Sequence, residues 1–433
     1  MILVECSTNK NGSMSRIIPM CGIVPKENEM KKIAGIALGA AFLCGISGAT
    51  GTITVAKADD CVYTSTFVEE KVNCVSAQGL QTRAKSAYLM DFDTKTPIYA
   101  QKERERLPIA SMCKIMTLLL SFEAIDNGAL DLKEEVFVSE RAASMGGSQV
   151  FLEANAKYPV SELIKSIVVC SANDSCVAMA EKIAGSEELF VERMNEKAKQ
   201  LGATDTLFAN CTGLPKDPQY SSAKDVALML EALLNHKEYF DFGKVWMDKF
   251  MHSKGRYTEI SNTNKLVRFY DGCDGGKTGF TNEAGFCLAA TAKRGDMRII
   301  SVVIGEETSA NRFEDVKTMF DYAFANYTRS TIVDASQSLS QTALVSGGKV
   351  EEVSVYPERS AYAFMRKGDK ANITIDKRLN SVKAPVEKGE KVGELVIYQD
   401  GVEKERMDLL AGEEVKAATV MDRLKKIARK WNG

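Results

Sequence analysis

Histidine is scarce: 433 residues contain two, His236 and His252. No C-x-x-C pair occurs. Zinc sites and histidine-centred clusters need such ligands at short spacing. No metal is therefore expected, and no cofactor. Neither histidine lies near a G-x-S-x-G elbow, so a Ser-His-Asp hydrolase has no support. Charge of one sign is lacking too. The formal net charge is -2, so no global field draws in nucleic acid, and none is expected as a partner. No internal repeat or low-complexity tract stands out. A long hydrophobic run is also missing. The apolar stretch at residues 33–46 is short for a bilayer span, rich in Gly and Ala, and followed by small residues.

That stretch instead reads as part of an export signal. Lys31 and Lys32 follow Met30 as a positive n-region, and "AKA" ends at Ala58 as an A-x-A cleavage site. Residues 1–29 look like neither a domain nor an n-region, and a start assigned upstream of Met30 would account for them. An exported chain can form disulfides. Most of the 11 cysteines, however, sit singly in apolar segments and read as small buried hydrophobes. Only Cys61 and Cys74, in a polar segment, look like a pair.

With 45% hydrophobic and 26% charged residues the chain is of ordinary globular composition, and it is too long for one typical domain. After a leader at 59–85, residues 87–100 alternate as two strands around a turn. Helical patterns follow from about Ser111, including "PVSELIKSIVVCSANDSCVAMAEKIAG". From Cys273 strands return, with a turn at Arg294-Gly295-Asp296, and "NRFEDVKTMFDYAFANY" is a closing amphipathic helix. Strands at both ends with helices between indicate an α+β domain over 86–329, its terminal strands sharing one antiparallel sheet. Residues 330–412 carry short strand patterns punctuated by Gly347-Gly348 and Asp400-Gly401, a small all-β domain. In the last segment, 413–433, Val420, Leu424, Ile427 and Trp431 share one helical face. Lys416, Arg423, Lys425, Lys426, Arg429 and Lys430 supply the other, against Asp422. This is expected to lie on an anionic membrane surface.

Chemistry enters at "PIASMCKIMTLLL". Ser111 and Lys114 stand three apart, so in a helix they share a face. A serine is a weak nucleophile until a base takes its proton. A lysine can be that base where burial and the positive end of a helix disfavour its cation. An isolated S-x-x-K means little. Two further triplets change its weight: Ser171-Ala172-Asn173 at the end of an apolar run, and Lys277-Thr278-Gly279 opening a strand. Gly275, Gly276 and Gly279 are small enough for a substrate backbone to approach that strand closely. S-x-x-K, S-x-N and K-T-G in this order form the serine acyl-enzyme signature.

On these motifs the chain resembles the low-molecular-mass penicillin-binding proteins, serine-type D-alanyl-D-alanine carboxypeptidases, over residues 87–327 and more weakly beyond. "NTNKLV" and "ANCTGLPKDPQYSSAKDVALM" support the likeness; Cys113 inside S-x-x-K departs from the small residue or threonine common there. The resemblance implies a β-lactamase/transpeptidase-like catalytic domain with helices on both sides of the sheet and a helical subdomain. It implies a peptidoglycan stem peptide ending in D-Ala-D-Ala as substrate and β-lactam antibiotics as covalent inhibitors. The last helix would anchor the protein at the outer face of the cytoplasmic membrane. Ser111 would attack, Lys114 would accept its proton, and Ser171 would pass a proton to the leaving amine, helped by Lys277. Asn173 would hold the substrate amide. Thr278 would bind the terminal carboxylate, with Arg312 as its charge partner. The N–H groups of Ser111 and Phe280, beside Gly279, would form the oxyanion hole.

Two alternatives share these motifs. A class A β-lactamase needs a glutamate to activate water. "EALLN", Glu231 to Asn235, fits that pattern, but lies where Val226, Leu230, Leu233 and Leu234 keep helical spacing, so Glu231 is expected on a helix face. A non-catalytic sensor on the same fold would not need the full set of reacting residues that is present.

Overall fold

The structure is a computed structural model describing residues 79–369 and 372–424, together with a strand pair, Thr52–Ala56 and Val62–Thr66. That pair is antiparallel, with Thr52 opposite Thr66. The apolar core of the expected signal, Cys61, Cys74 and the tail beyond Leu424 lie outside the described residues.

Five strands form one antiparallel sheet: β1 (Ser86–Asp91), β2 (Pro97–Gln101), β3 (Cys273–Thr281), β4 (Gly285–Arg294) and β5 (Met297–Glu306), in the order β2-β1-β5-β4-β3. The hairpin at the start meets the three-stranded meander at the end where Tyr88 stands opposite Val302. Every residue of β1 and β5 is buried, so both faces of the sheet are covered. Side chains of a strand alternate between faces. Tyr88, Met90, Ile300, Val302 and Ile304 therefore join one core, and Ala87, Leu89, Ile299 and Val303 the other.

The first core is packed by α1 (Lys114–Asp126), α2 (Val160–Cys170), α3 (Asn173–Ala184), α4 (Glu187–Gln200) and α5 (Ala223–Leu234). The second is packed by α6 (Ser309–Asn326) through Val316, Met319, Phe320 and Ala323. Side-chain caps start several of these helices: Ser186 for α4, Ser222 for α5 and Thr308 for α6 accept backbone N–H bonds from their first turns. Helix α1 is different. It has no side-chain cap, and Lys114 to Phe122 are all buried, as in a helix apolar all round.

Three local expectations needed correction. Ser111 lies in a 3-10 turn, Ala110–Cys113, and the α-helix starts at Lys114. The change preserves the contact, because residues three apart also align in a 3-10 turn. The segment containing S-x-N is two helices, broken at Ser171, which takes a left-handed φ of 66°. K-T-G lies in the middle of β3 rather than at its start. Two ribbons, Glu135–Phe137 with Lys157–Pro159 and Met247–Met251 with Tyr257–Ser261, interrupt the helical part.

The strand Tyr327–Val333 pairs with Ala361–Arg366, straddling the expected boundary at 329. Phe364 stacks on Tyr327 at 5.1 Å and belongs to the second core of the α+β domain, and Arg329 pairs with Asp93. A six-stranded sheet, including Glu352–Pro357, Lys391–Gln399 and Val402–Ala411, completes an all-β domain with its own core. Asp400 and Gly401 both take positive φ in the expected hairpin turn. This domain keeps more of the chain than expected. Val415 is buried and bridges Val386, and Ala418 N–H donates to Gly347, so the last helix begins only at Val420. Thr419 and Asp422 bond each other reciprocally at its start.

Candidate active site

The turn that carries Ser111 is set by close backbone packing on two sides. On one side lies Gly279 of β3, where a Cβ would come within 2.6 Å of the Ile109 carbonyl oxygen. On the other lies Gly213, at φ +81°, where a Cβ would come within 2.0 Å of the Ala110 carbonyl oxygen. Only glycine fits such approaches. The β3 glycines were expected to open the strand to a substrate. Their smallness is used against the chain itself, since Gly276 faces the Ala289 carbonyl and Gly275 the Tyr239 ring.

Lys114 is fully buried; its Nζ donates to Asn173 Oδ1 at 2.7 Å and the Thr212 carbonyl at 2.5 Å, and lies 3.0 Å from Ser111 Oγ. Asn173 is held by the loop before α2: its backbone N–H donates to Ser148 O at 2.7 Å and its Nδ2 to Gly146 O at 2.7 Å. The neighbouring Asp174 carboxylate accepts from the N–H groups of Val150 and Leu152, which fixes that loop. Burial pushes the Asp174 carboxyl up from its ordinary value. Ser171 is 3% exposed, and its Oγ has no hydrogen-bond partner among the described residues. A buried unpaired hydroxyl is costly and calls for an explanation.

Lys277 is also buried, with its Nζ donating to the Thr278 carbonyl at 3.2 Å. Burial, then repulsion from Lys114, brings its pKa down to about 7. Thr278 Oγ1 donates to Thr263 Oγ1 at 2.8 Å. Phe280 is half exposed and stacks on Phe286 at 4.3 Å. Arg312 is buried on α6, and donates to the carbonyls of Gly279 at 3.2 Å and Cys287 at 3.4 Å. No carboxylate among the described residues pairs with it, and burial lowers its pKa to about 10. It reaches β3 one residue beyond Thr278, through the backbone rather than through the Thr278 side chain.

Direct bonds thus join Ser111, Lys114 and Asn173, and the Gly279 contact packs β3 against the serine turn. Sequence reasoning missed the Thr212 carbonyl and the residues behind it, Asn210 and Gly213. The spacing of asparagine and glycine in "NCTG" is a turn signal that could have marked them. Neither histidine bonds to Ser111: His236 meets Asp126, and His252 sits between Tyr158 and Thr258. Glu231 lies on α5, paired with Lys95 at 3.0 Å and bonded by Asn235. Six cysteines, Cys113, Cys170, Cys176, Cys211, Cys273 and Cys287, are free thiols, five of them buried. Burial pushes the thiols of Cys170, Cys176 and Cys273 up to about 12 and that of Cys287 up to about 11.

A helix-covered antiparallel sheet with a small all-β domain behind it is the fold of the penicillin-binding proteins. Penicillin binding protein 5 from Haemophilus influenzae superposes with a TM-score of 0.63 at 28% identity, covering 78% of this chain and 98% of that one. The penicillin-binding protein PBP3 of Streptococcus pneumoniae, described as a peptidoglycan synthesis regulatory factor, gives 0.66 at 27% identity, covering 78% and 100%. In sequence, D-alanyl-D-alanine carboxypeptidase DacF of Bacillus subtilis is 40% identical over 355 residues, 81% of this chain and 91% of that protein. DacC of Escherichia coli, also a D-alanyl-D-alanine carboxypeptidase, is 31% identical over 349 residues, 77% and 84%. A family model described as D-alanyl-D-alanine carboxypeptidase matches residues 71–308, and one for the C-terminal domain of penicillin-binding protein 5 matches 327–417. The chain belongs to the D-alanyl-D-alanine carboxypeptidase family, and is a serine-type enzyme of that activity.

Proposed function

We propose that the protein removes the terminal D-alanine from peptidoglycan stem pentapeptides, with Ser111 as nucleophile and Lys114 as its base. The observation that carries this reading is the 3.0 Å contact between Lys114 Nζ and Ser111 Oγ, made by a lysine with no access to water. Ser111 Oγ bonds to the carbonyl carbon of the penultimate D-alanine, and its proton passes to Lys114. The backbone N–H groups of Ser111 and Phe280 receive the developing oxyanion. The C–N bond then breaks, and Ser171 passes a proton to the departing amine. The partnerless Ser171 hydroxyl supports that role, since a substrate amine would complete its bonding. The partly charged Lys277 assists, Asn173 orients the substrate amide, and Thr278 takes the terminal carboxylate, with Arg312 lending positive charge through Gly279. Water hydrolyses the acyl-enzyme, and the loss of the donor D-alanine limits cross-linking.

β-Lactams acylate the same serine and leave slowly. Glu231, the glutamate that fits the β-lactamase pattern, is engaged with Lys95 and Asn235 on α5, which favours the carboxypeptidase. The enzyme works on the outer face of the cytoplasmic membrane, held by the last helix. No described helix is long and apolar enough to cross a membrane, whereas Val420, Met421 and Leu424 stand exposed at the start of that helix. The test is digestion of diacetyl-Lys-D-Ala-D-Ala followed by mass spectrometry. Loss of one D-alanine by the parent protein and none by Ser111→Ala is expected. No release by the parent would favour a sensor. Rapid turnover of the benzylpenicillin adduct would favour a β-lactamase.

A further inference from the structure

We propose that Asn210 is a positioning residue for the proton transfer between Ser111 and Lys114, acting through the backbone carbonyl of Thr212. The inference rests on the assignment of Ser111 and Lys114 as nucleophile and base. A lysine amine about to accept a proton carries two N–H groups and one lone pair. Lys114 Nζ has three polar neighbours: the Thr212 carbonyl at 2.5 Å, Asn173 Oδ1 at 2.7 Å and Ser111 Oγ at 3.0 Å. The first can only accept. The second also only accepts, because the Asn173 amide is oriented by its Nδ2 donating to Gly146 O. Both N–H groups are thereby taken, and the lone pair is left facing the Ser111 hydroxyl. Without the Thr212 carbonyl in place, the amine is free to rotate and turn an N–H toward the serine.

Asn210 holds that carbonyl. Its Oδ1 accepts from Thr212 N at 3.1 Å, Thr212 Oγ1 at 3.1 Å and Gly213 N at 2.7 Å. Its Nδ2 donates to Leu214 O at 2.8 Å. One side chain thus ties down the carbonyl's own peptide group, through Gly213 N, and the one before it, through Thr212 N. Its own backbone oxygen accepts from Cys113 Sγ at 3.2 Å, which links it to the serine turn. Gln219 supports the same turn from behind, accepting from Ala209 N and Asn210 N and donating to Leu214 O. Asn210 bonds to neither Ser111 nor Lys114, so its effect on the chemistry runs through Thr212.

The experiment measures acylation of the full chain by a fluorescent penicillin in a stopped-flow instrument. It separates the pre-covalent dissociation constant K from the acylation rate constant k2. Displacing a reacting group by an ångström can cost about a hundred-fold in rate. In Asn210→Ala, k2 should fall at least ten-fold with K within three-fold. Asn210→Asp keeps the triple acceptor and should acylate at least five-fold faster than Asn210→Ala, with urea midpoints of the two variants alike. A smaller fall in Asn210→Ala, a matching rise in K, or an aspartate no better than alanine would overturn the proposal. If Asn210→Ala does not fold, Gln219→Ala loosens the same turn, and the same ten-fold criterion on k2 decides. Ser111→Ala must form no adduct. If it does, the assignment of the nucleophile fails independently of Asn210.

Discussion

Replacing Lys277 with methionine should make the protein more stable and less active. Methionine matches the lysine stem in length and carries no charge to bury. The fully buried amine is brought from an ordinary 10.5 to about 7, and at 1.36 kcal/mol for each tenfold this corresponds to ~5 kcal/mol held against the fold. The lost bond to the Thr278 carbonyl returns about 1 kcal/mol or more. A net gain of about 2–4 kcal/mol is expected. The size of this gain varies with pH. Below about 7 the lysine is cationic in both folded and unfolded chains, and the full cost is present. From there to 10.5 the unfolded chain holds the proton more tightly, so the parent gains stability as pH rises. The advantage of Lys277→Met should therefore be greatest at pH 6, clearly smaller at pH 9.5, and gone above 10.5. Urea unfolding at several pH values reads the gap directly. Release of D-alanine by the variant should fall by about 10²-fold or more, as when a fixed positive group near a developing charge is lost. A stability gap that does not vary with pH, or a less stable variant at pH 6, would refute the argument from burial.

Three other perturbations test separate parts of the structure. Gly213→Ala forces a methyl against the Ala110 carbonyl at a left-handed φ, and should cost about 2–4 kcal/mol and slow penicillin acylation by at least ten-fold; an unchanged rate would show that the serine turn adjusts freely. Glu306 is buried, and burial together with a hydrogen bond to the neighbouring Asp315 pushes it up to about 8. Its favourable contribution is complete below about 4.5 and lost as pH rises toward 8, so Glu306→Gln should gain about 1–3 kcal/mol over the parent at pH 8 and little at pH 4.5; equal effects at both values would contradict this. Deleting residues 420–433, rather than cutting at the buried Val415, should release the protein from the membrane to the soluble fraction. If it stays bound, the anchor lies elsewhere.

The hairpin at residues 87–100 and the meander around Gly295 were legible because short apolar runs, the pattern of strands buried on both faces, are bounded there by turn residues. The three reacting motifs were legible because their side chains are the chemistry. The Thr212 carbonyl was not, since a backbone oxygen has no letter of its own. The helix break at Ser171 was hidden because it uses neither glycine nor proline, and apolar spacing continues through it. The ribbon Met247–Met251 with Tyr257–Ser261 was missed because only Phe250 and Ile260 are buried, too few to set a period of two. The end of the β domain was misplaced because Val415 looks like the first apolar residue of a helix and is instead the last of a core.

The contact between Gly279 and the Ile109–Met112 backbone has a mechanical meaning. With nothing larger than the Ala110 methyl between them, the strand expected to bind the substrate and the turn bearing the nucleophile move as one solid piece. The gap between attacking oxygen and bound carbonyl is then a property of the rigid frame, set before any ligand arrives, and adaptation to ligands of different shape falls to the opposite wall, where Gly146 and Ser148 grip Asn173.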